Sequence, residues 1–522
     1  MSVQTIPAYT ARAAARFGDR LAIVDGDQRL TYRALAEEAR TFAAAVVVAG
    51  VQPGDRVAIW APNSSAWVVA LLGLLHAGAV LVPVNTRFKG REAADILARS
   101  RARLLVTVTD FLGTDYPALL ESADVDLPDL DTVIVASGAV TGRGRPWAQF
   151  VAGVTDAAAA EADRRAAALT AADPSDILFT SGTTGVPKGV VQTHGRTLRV
   201  ATDWVAMTGL TAGDRYLMVN PYFHMFGLKA GILASVVAGA TMLPEPVFDV
   251  DRVLARVEDE QVSVLPGPPT LYQAILDHPG RDRHDLSSLR AAVTGAADIP
   301  VELIRRVTAE LPFSVVIAGY GLTEGGTATA TSPGDDPETI ATTVGRPRPG
   351  FELRIVDPSG AGVAPGTAGE IVLRGASVML HYLDDPDATA QVLSADGWLK
   401  TGDLGVVDAG GCLHVVGRAK DMFIVGGFNA YPAEIENALL RHADIQQAAV
   451  IGIPDERLGE VGMAFVVGRP GSSSTPEDII TWSRDQMANY KVPRVVRFVD
   501  ALPLNATGKV VKDALREQAA AR

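Results

Sequence analysis

Between Thr180 and Gly189 the chain reads TSGTTGVPKG. Glycines let a backbone wrap an anion, hydroxyls donate hydrogen bonds, and Lys188 adds positive charge, so the stretch has the makings of a phosphate loop. The spacing is not that of the nucleotide loop G-x-x-x-x-G-K-S/T. Gly182 and Gly185 stand too close together, and Lys188 is followed by Gly189. Asp176-Ile177-Leu178-Phe179 before the loop and Gly189-Val190-Val191-Gln192-Thr193 after it read as strands, with a helix starting only after Thr193. A Walker loop needs a helix N-terminus directly behind its lysine, because the helix dipole and free N–H groups hold the phosphates. The setting therefore argues against a P-loop NTPase. A plain hairpin tip would not call for so many glycines and hydroxyls.

FTSGTTGVPKG resembles the signature loop of the AMP-forming adenylating enzymes, which include acyl- and aryl-CoA synthetases, nonribosomal adenylation domains and luciferases. The family's other motifs follow in order, and the resemblance runs from about residue 10 to residue 518. GYGLTE at 319–324 resembles its second core motif. Gly319 and Gly321 allow close backbone approach to a ligand, and Tyr320 offers a face for adenine. Thr323 can bond an α-phosphate, and Glu324 is a hard oxygen ligand suited to Mg²⁺. GWLKTGD at 397–403 resembles the ribose motif, with Asp403 able to accept both ribose hydroxyls. In GRAKD at 417–421 the resemblance implies Arg418 on the ribose and phosphate side and Lys420 as a hinge.

PLNATGK at 503–509 resembles the C-terminal catalytic loop. A carboxylate attacking an α-phosphorus brings two anions together, and a lysine touching both stabilises the transferring group. Lys509 is that lysine, and Lys512 reads as a plain surface charge. The resemblance further implies that Thr180, Ser181, Gly182, Thr183, Thr184, Gly185 and Lys188 hold the β- and γ-phosphates.

PYFHMFG at 221–227 falls where the family lines its acyl pocket. Amino-acid-activating members place an Asp here; this chain has His224 among aromatics, similar to acyl- and aryl-CoA synthetases. No general base is needed, since a carboxylate is already ionised at neutral pH. Gly295 and Ala296 supply the family's Gly-Ala pair. Small residues there and at Gly319 to Gly321 leave room for a bulky acyl group, with Gly267-Pro268-Pro269-Thr270 at the entrance. Gly426 and Gly427 resemble the loop lining the pantetheine tunnel.

The implied enzyme is an acid–CoA ligase. Carboxylate and Mg-ATP give acyl-AMP and pyrophosphate; coenzyme A then gives acyl-CoA and AMP. The general look resembles actinobacterial FadD-type synthetases, pointing to a fatty, steroid-derived or other bulky acid. Rival readings are an adenylation enzyme loading a carrier protein, an oxidative luciferase-like enzyme, a nucleotide-binding homologue without turnover, and a kinase or ATPase releasing ADP.

Those residues need positioning elements. Short apolar runs at 57–60, 80–84, 103–108 and 132–137 alternate with helical stretches, as in α/β layers. The Ala-rich stretch 157–173 reads as closing a first region, and 345–416 as a small β-rich region. The last hundred residues read as an α+β unit. The fold expectation is α/β: a large N-terminal domain, 1–420, of layered α/β subdomains plus the β-rich piece, and a small mobile C-terminal domain, 421–522, swinging about Lys420.

At 522 residues more than one unit is expected. The net charge of −13 offers nucleic acid no general attraction, so an anionic ligand needs a local site. Cys412 is the sole cysteine and makes neither an internal disulfide nor a cysteine zinc cluster. The N-terminus has no apolar signal core. The uncharged run 66–84 has the length of a membrane span, but Gly78 and Pro83 break it into a buried helix and a strand at 79–84. A cytoplasmic enzyme acting on small molecules follows, with no transmembrane segment. A homodimer is compatible with the resemblance, and no residue sets the oligomeric state.

Overall fold

The computed structural model describes residues 4–180, 187–295, 301–418, 420–425, 428–455, 457–505 and 509–521. An eight-stranded sheet runs, in spatial order, His381–Tyr382, Lys188–Thr193, Pro174–Thr180, Val80–Pro83, Arg56–Trp60, Ala102–Thr107, Thr132–Val135 and Gly144–Pro146. From Pro174–Thr180 to the last strand the pairs are parallel; Lys188–Thr193 and His381–Tyr382 add antiparallel at the other edge. The Ala-rich stretch 157–173 is therefore no boundary. It supplies the helix Asp156–Ala168, and the following strand returns to the same sheet, with Asp176 opposite Leu81.

A second layer interleaves sequence-distant strands: Arg215–Met218, Thr241–Pro244, Leu21–Asp25 and Gln28–Thr31 form one group. Ala291–Gly295, Val315–Leu322, Gly326–Ala330 and Arg346–Pro347 form the other. Val264 bridges them by pairing with both Tyr216 and Ala291. One apolar core joins this layer to the eight-stranded sheet through the helices Tyr32–Val48, Ser65–His76 and His194–Thr208. The opposite face of the second layer carries Val250–Asp259, Pro269–Leu276 and Val301–Glu310 over a second core.

The uncharged run resolves as expected. Ser64 caps the helix Ser65–His76 by accepting from the Trp67 N–H at 3.3 Å, and Val80–Pro83 follows as a fully buried strand. Among the described residues no helix is long and apolar enough to cross a membrane.

Phe351–Val356, Gly369–Gly375, Leu399–Val407 and Leu413–Arg418 make a four-stranded antiparallel sheet, the expected β-rich piece. Two short strands from the same stretch leave it, Arg346–Pro347 for the second layer and His381–Tyr382 for the first sheet. The C-terminal stretch forms its own sheet around Ile445–Asp455 and Gly459–Gly468, with Val495–Phe498 added parallel. Phe423, Ile435 and Val450 fill a core against its helices, while Phe465, Leu502 and Leu515 fill another. Pro432 opens the helix Pro432–Leu439 at its first turn, and Thr475 closes a capping box with Asp478 at the helix Pro476–Gln486.

Candidate active site

Lys188 begins the second strand of a hairpin. Pro174–Thr180 pairs antiparallel with Lys188–Thr193, bringing Thr180 opposite Lys188, and Ser181, Gly182, Thr183, Thr184 and Gly185 between them lie outside the described residues. The next helix starts at His194, with Thr193 as its cap. No helix N-terminus follows Lys188 directly, so the Walker arrangement is absent among the described residues.

Lys188 stands 5.1 Å from the centroid of the Tyr382 ring. The Tyr382 hydroxyl donates to Glu324 Oε1 at 3.0 Å. Glu324 sits in the turn between Val315–Leu322 and Gly326–Ala330, and its carbonyl accepts from the Met379 N–H at 2.6 Å. The stretch carrying Tyr382 is strapped to the hairpin: Leu380 and Leu383 donate to the carbonyls of Val191 and Gly189. Sequence reasoning missed Tyr382, because nothing in its local pattern marks it and only sheet pairing brings it here. Among the described residues no group of three or more His, Cys, Asp or Glu could hold a metal ion. One carboxylate with no protein cage suits Mg²⁺, which keeps its waters and binds through substrate phosphates.

At the other end of the same motif, Tyr320 donates to Asp403 Oδ2 at 2.6 Å, and Arg418 Nε lies 3.1 Å from Asp403 Oδ1. Burial, with the adjacent Asp403 carboxylate, pushes the Tyr320 phenol well above its usual pKa, so it remains a donor. The buried carboxylate is thus engaged on both oxygens. Gly295 pairs in register with Gly319. A Cβ at Gly295 would meet the Gly319 carbonyl at 2.7 Å, and one at Gly321 the Gly326 carbonyl at 2.4 Å, so only glycine fits either place. Ala296 lies outside the described residues. Thr323 is half-buried in the turn beside Glu324.

His224 precedes a π-helical segment, Phe226–Leu233, an unusual winding often met at functional sites. Its Nδ1 accepts from the Phe226 N–H at 3.2 Å, which leaves the proton of a neutral ring on Nε2. Burial, aided by the positive charge of Lys509, pushes its pKa down to about 4. The Phe226 ring meets Trp204 edge-on at 5.3 Å. Within the π-helical segment, Lys229 Nζ lies 2.9 Å from Asp176 Oδ1, with side chains 1% and 3% exposed. This ion pair joins the segment to the strand that leads into the phosphate loop. Neither residue stands out in the sequence, since each sits in an ordinary run.

Lys509 lies on a short C-terminal hairpin: its N–H donates to Asn505 Oδ1 at 2.9 Å, and Asn505 returns a bond to the Lys509 carbonyl at 2.7 Å. Arg87, from the eight-stranded sheet's side, donates to the Asn505 carbonyl at 3.3 Å. Lys509, far from His224 in sequence, thus comes near enough for its charge to act on the His224 ring. Lys420 is exposed in the turn after Leu413–Arg418. Gly426 and Gly427 lie outside the described residues. Lys512 is not the plain surface charge its composition suggested. It pairs with the buried Glu436 at 2.8 Å, and Glu436 also accepts from the Val450 N–H at 2.7 Å, so the pair pins the terminal helix to the small sheet.

The chain is 50% identical over 98% of its length, and 98% of the relative's, to 3-[(3aS,4S,7aS)-7a-methyl-1,5-dioxo-octahydro-1H-inden-4-yl]propanoyl:CoA ligase of Rhodococcus jostii. It is 49% identical to the Mycobacterium tuberculosis ligase of that name, covering 99% of each chain. Among solved structures it resembles the anthranilate CoA ligase AuaEII in complex with anthranoyl-AMP, with TM-score 0.89, 29% identity, and coverage of 100% of this chain and 98% of that one. ATP-bound MatB from Rhodopseudomonas palustris gives TM-score 0.87 at 28% identity, covering 98% and 99%. The model of the AMP-binding enzymes matches residues 10–383 and that of the AMP-binding enzyme C-terminal domain residues 434–509. A nucleotide-type loop without Walker geometry, a doubly held carboxylate and a lysine brought in by the C-terminal piece fit that match, and the chain belongs to the AMP-binding enzyme family as an AMP-forming acyl-CoA synthetase.

Proposed function

We propose that this acid–thiol ligase activates a bulky carboxylate of the fused-ring propanoate kind. The carrying observation is the 50% identity, over nearly the whole chain, to a ligase named for such an acid.

In the first step the substrate carboxylate attacks the α-phosphorus of ATP, forming acyl-AMP and releasing pyrophosphate. In this reading Thr180 to Gly185 and Lys188 hold the leaving phosphates, Thr323 the α-phosphate, and Asp403 with Arg418 and Tyr320 the ribose side. Glu324 would hold Mg²⁺, which when bound screens charge on the phosphates. Lys509 bridges the carboxylate and the α-phosphate as their charges approach. His224, neutral, lines the acyl pocket with its Nε2 proton available as a donor.

In the second step the thiol of coenzyme A attacks the acyl carbonyl, and AMP leaves. We assign the hinge to Lys420, between a large unit at 1–420 and a small one at 421–522, with Gly426 and Gly427 brought to the pantetheine after the swing. A cytoplasmic setting, which supplies ATP and coenzyme A, is part of this proposal.

The test is a carboxylic acid panel with ATP, Mg²⁺ and coenzyme A, read by mass spectrometry of the thioester and by AMP release. The fused-ring propanoate should give the highest kcat/KM. Faster turnover of octanoate or a hydroxycinnamate would overturn the assignment of the acid.

A further inference from the structure

Tyr382 occupies a place that the reaction scheme leaves unused. It comes from the two-residue strand His381–Tyr382, pairs in register with Val190, and is buried. Its ring face meets the Lys188 ammonium at 5.1 Å, and its hydroxyl donates to Glu324 Oε1 at 3.0 Å. One side chain therefore touches a cation and a carboxylate, through the two parts of a phenol suited to each.

Among the described residues, neither Lys188 nor Glu324 makes an ion pair. Two opposite charges in one partly buried site attract strongly, and if they met they would neutralise each other. Lys188 would then be lost to phosphate and Glu324 to a cation. Tyr382 gives each a weaker neutral partner that a stronger ligand can displace.

We propose that Tyr382 is a positioning residue for Mg-ATP, a spacer that keeps Lys188 and Glu324 apart and aimed before the nucleotide arrives. This rests on the reading of Lys188 as a phosphate group and Glu324 as the metal group. The backbone of the same stretch supports it. Gln192 donates to the Ser377 carbonyl at 3.2 Å and Arg196 to the Met379 carbonyl at 2.8 Å, so the spacer stands on a segment fastened to the hairpin it serves.

The experiment uses the full chain with Tyr382→Phe, Tyr382→Leu and Glu324→Gln. Binding of ATP with and without Mg²⁺ is measured by calorimetry in the absence of acid, and thioester formation is measured from supplied acyl-AMP. Tyr382→Phe keeps the ring and loses the bond to the carboxylate. It should weaken Mg-ATP binding about tenfold, in line with one hydrogen bond to a charged group, while metal-free ATP binds as in the parent. Tyr382→Leu should weaken both, because Lys188 is then released onto Glu324. If Glu324→Gln leaves the Mg²⁺ dependence of ATP binding intact, the reading of Glu324 itself falls, and the spacer with it. If Glu324→Gln abolishes that dependence but Tyr382→Phe binds Mg-ATP like the parent, the spacer alone is overturned. An equal loss of thioester formation in Tyr382→Phe would mark general damage and also overturn it.

Discussion

Tyr320 donates its phenol proton to Asp403 at 2.6 Å, tying the strand Val315–Leu322 of the second layer to Leu399–Val407 of the β-rich sheet. The proposed function puts the nucleotide between these two pieces.

Removing it should cost nucleotide affinity. Tyr320→Phe is expected to raise the KM for ATP several-fold and Asp403→Asn by about tenfold or more, because the carboxylate also faces Arg418. ATP–pyrophosphate exchange measures both. The double variant should lose less than the sum, since the pair shares one bond. Strict additivity would separate their roles.

Lys509→Ala should lower acyl-AMP formation by at least about a hundredfold, the usual scale for one transition-state charge partner. Thioester formation from supplied acyl-AMP should stay near the parent rate. Equal loss in both half-reactions would reject a role confined to adenylation. Lys420→Pro should slow the overall cycle while leaving single-turnover adenylation intact.

His224 should be neutral throughout the working range. Its pKa of about 4 lies below the ordinary histidine value near 6.5, so protonation sets in only as pH falls toward 4, and none of its charge is lost or gained between pH 6 and 8. The adenylation rate should show no inflection near 6.5 from this ring. Lys509→Ala removes a like charge and should move the His224 pKa upward, but short of 6.5, because burial is the larger cause. Imidazole C2-proton shifts read by NMR follow it directly. A downward move would show that the two side chains do not face each other.

Lys229→Met should lower folding stability by about 3–5 kcal/mol, since it strands the Asp176 carboxylate in the core with, among the described residues, the hydroxyls of Ser175 and Thr197 donating to it. Lys229→Met with Asp176→Asn should recover most of that loss. Denaturant unfolding measures both. A single variant as stable as its parent would mean that the pair is solvated.

Much of the architecture was open to reading because local chemistry decides it. The strand-to-strand setting of TSGTTGVPKG follows from β-branched residues on both sides, and the helix starts at Pro432 and Pro476 follow from fixed proline geometry. Sheet membership was harder. The Ala-rich 157–173 resembled a boundary by composition, but hydrogen bonding carried the next strand back to the sheet begun a hundred residues earlier. Lys512 was misjudged for a similar reason: its partner Glu436 lies far up the chain, and burial is not written in a residue's type.

The chain's own order of residues determined the groups on offer for the proposed chemistry: a Gly- and hydroxyl-rich loop ending in Lys188, the carboxylates Asp403 and Glu324, and Lys509 near the C-terminus. Residue type and short-range spacing are enough for that, since they set charge, hydrogen-bonding capacity and backbone freedom. Tertiary structure decided which of these groups meet. Tyr382 between Lys188 and Glu324 and Asp403 under Tyr320 are contacts between distant segments, and Lys509 comes near enough to His224 for its charge to act on the ring. They depend on how sheets pair and cores close, a sum of many weak terms over the whole chain that no short stretch contains.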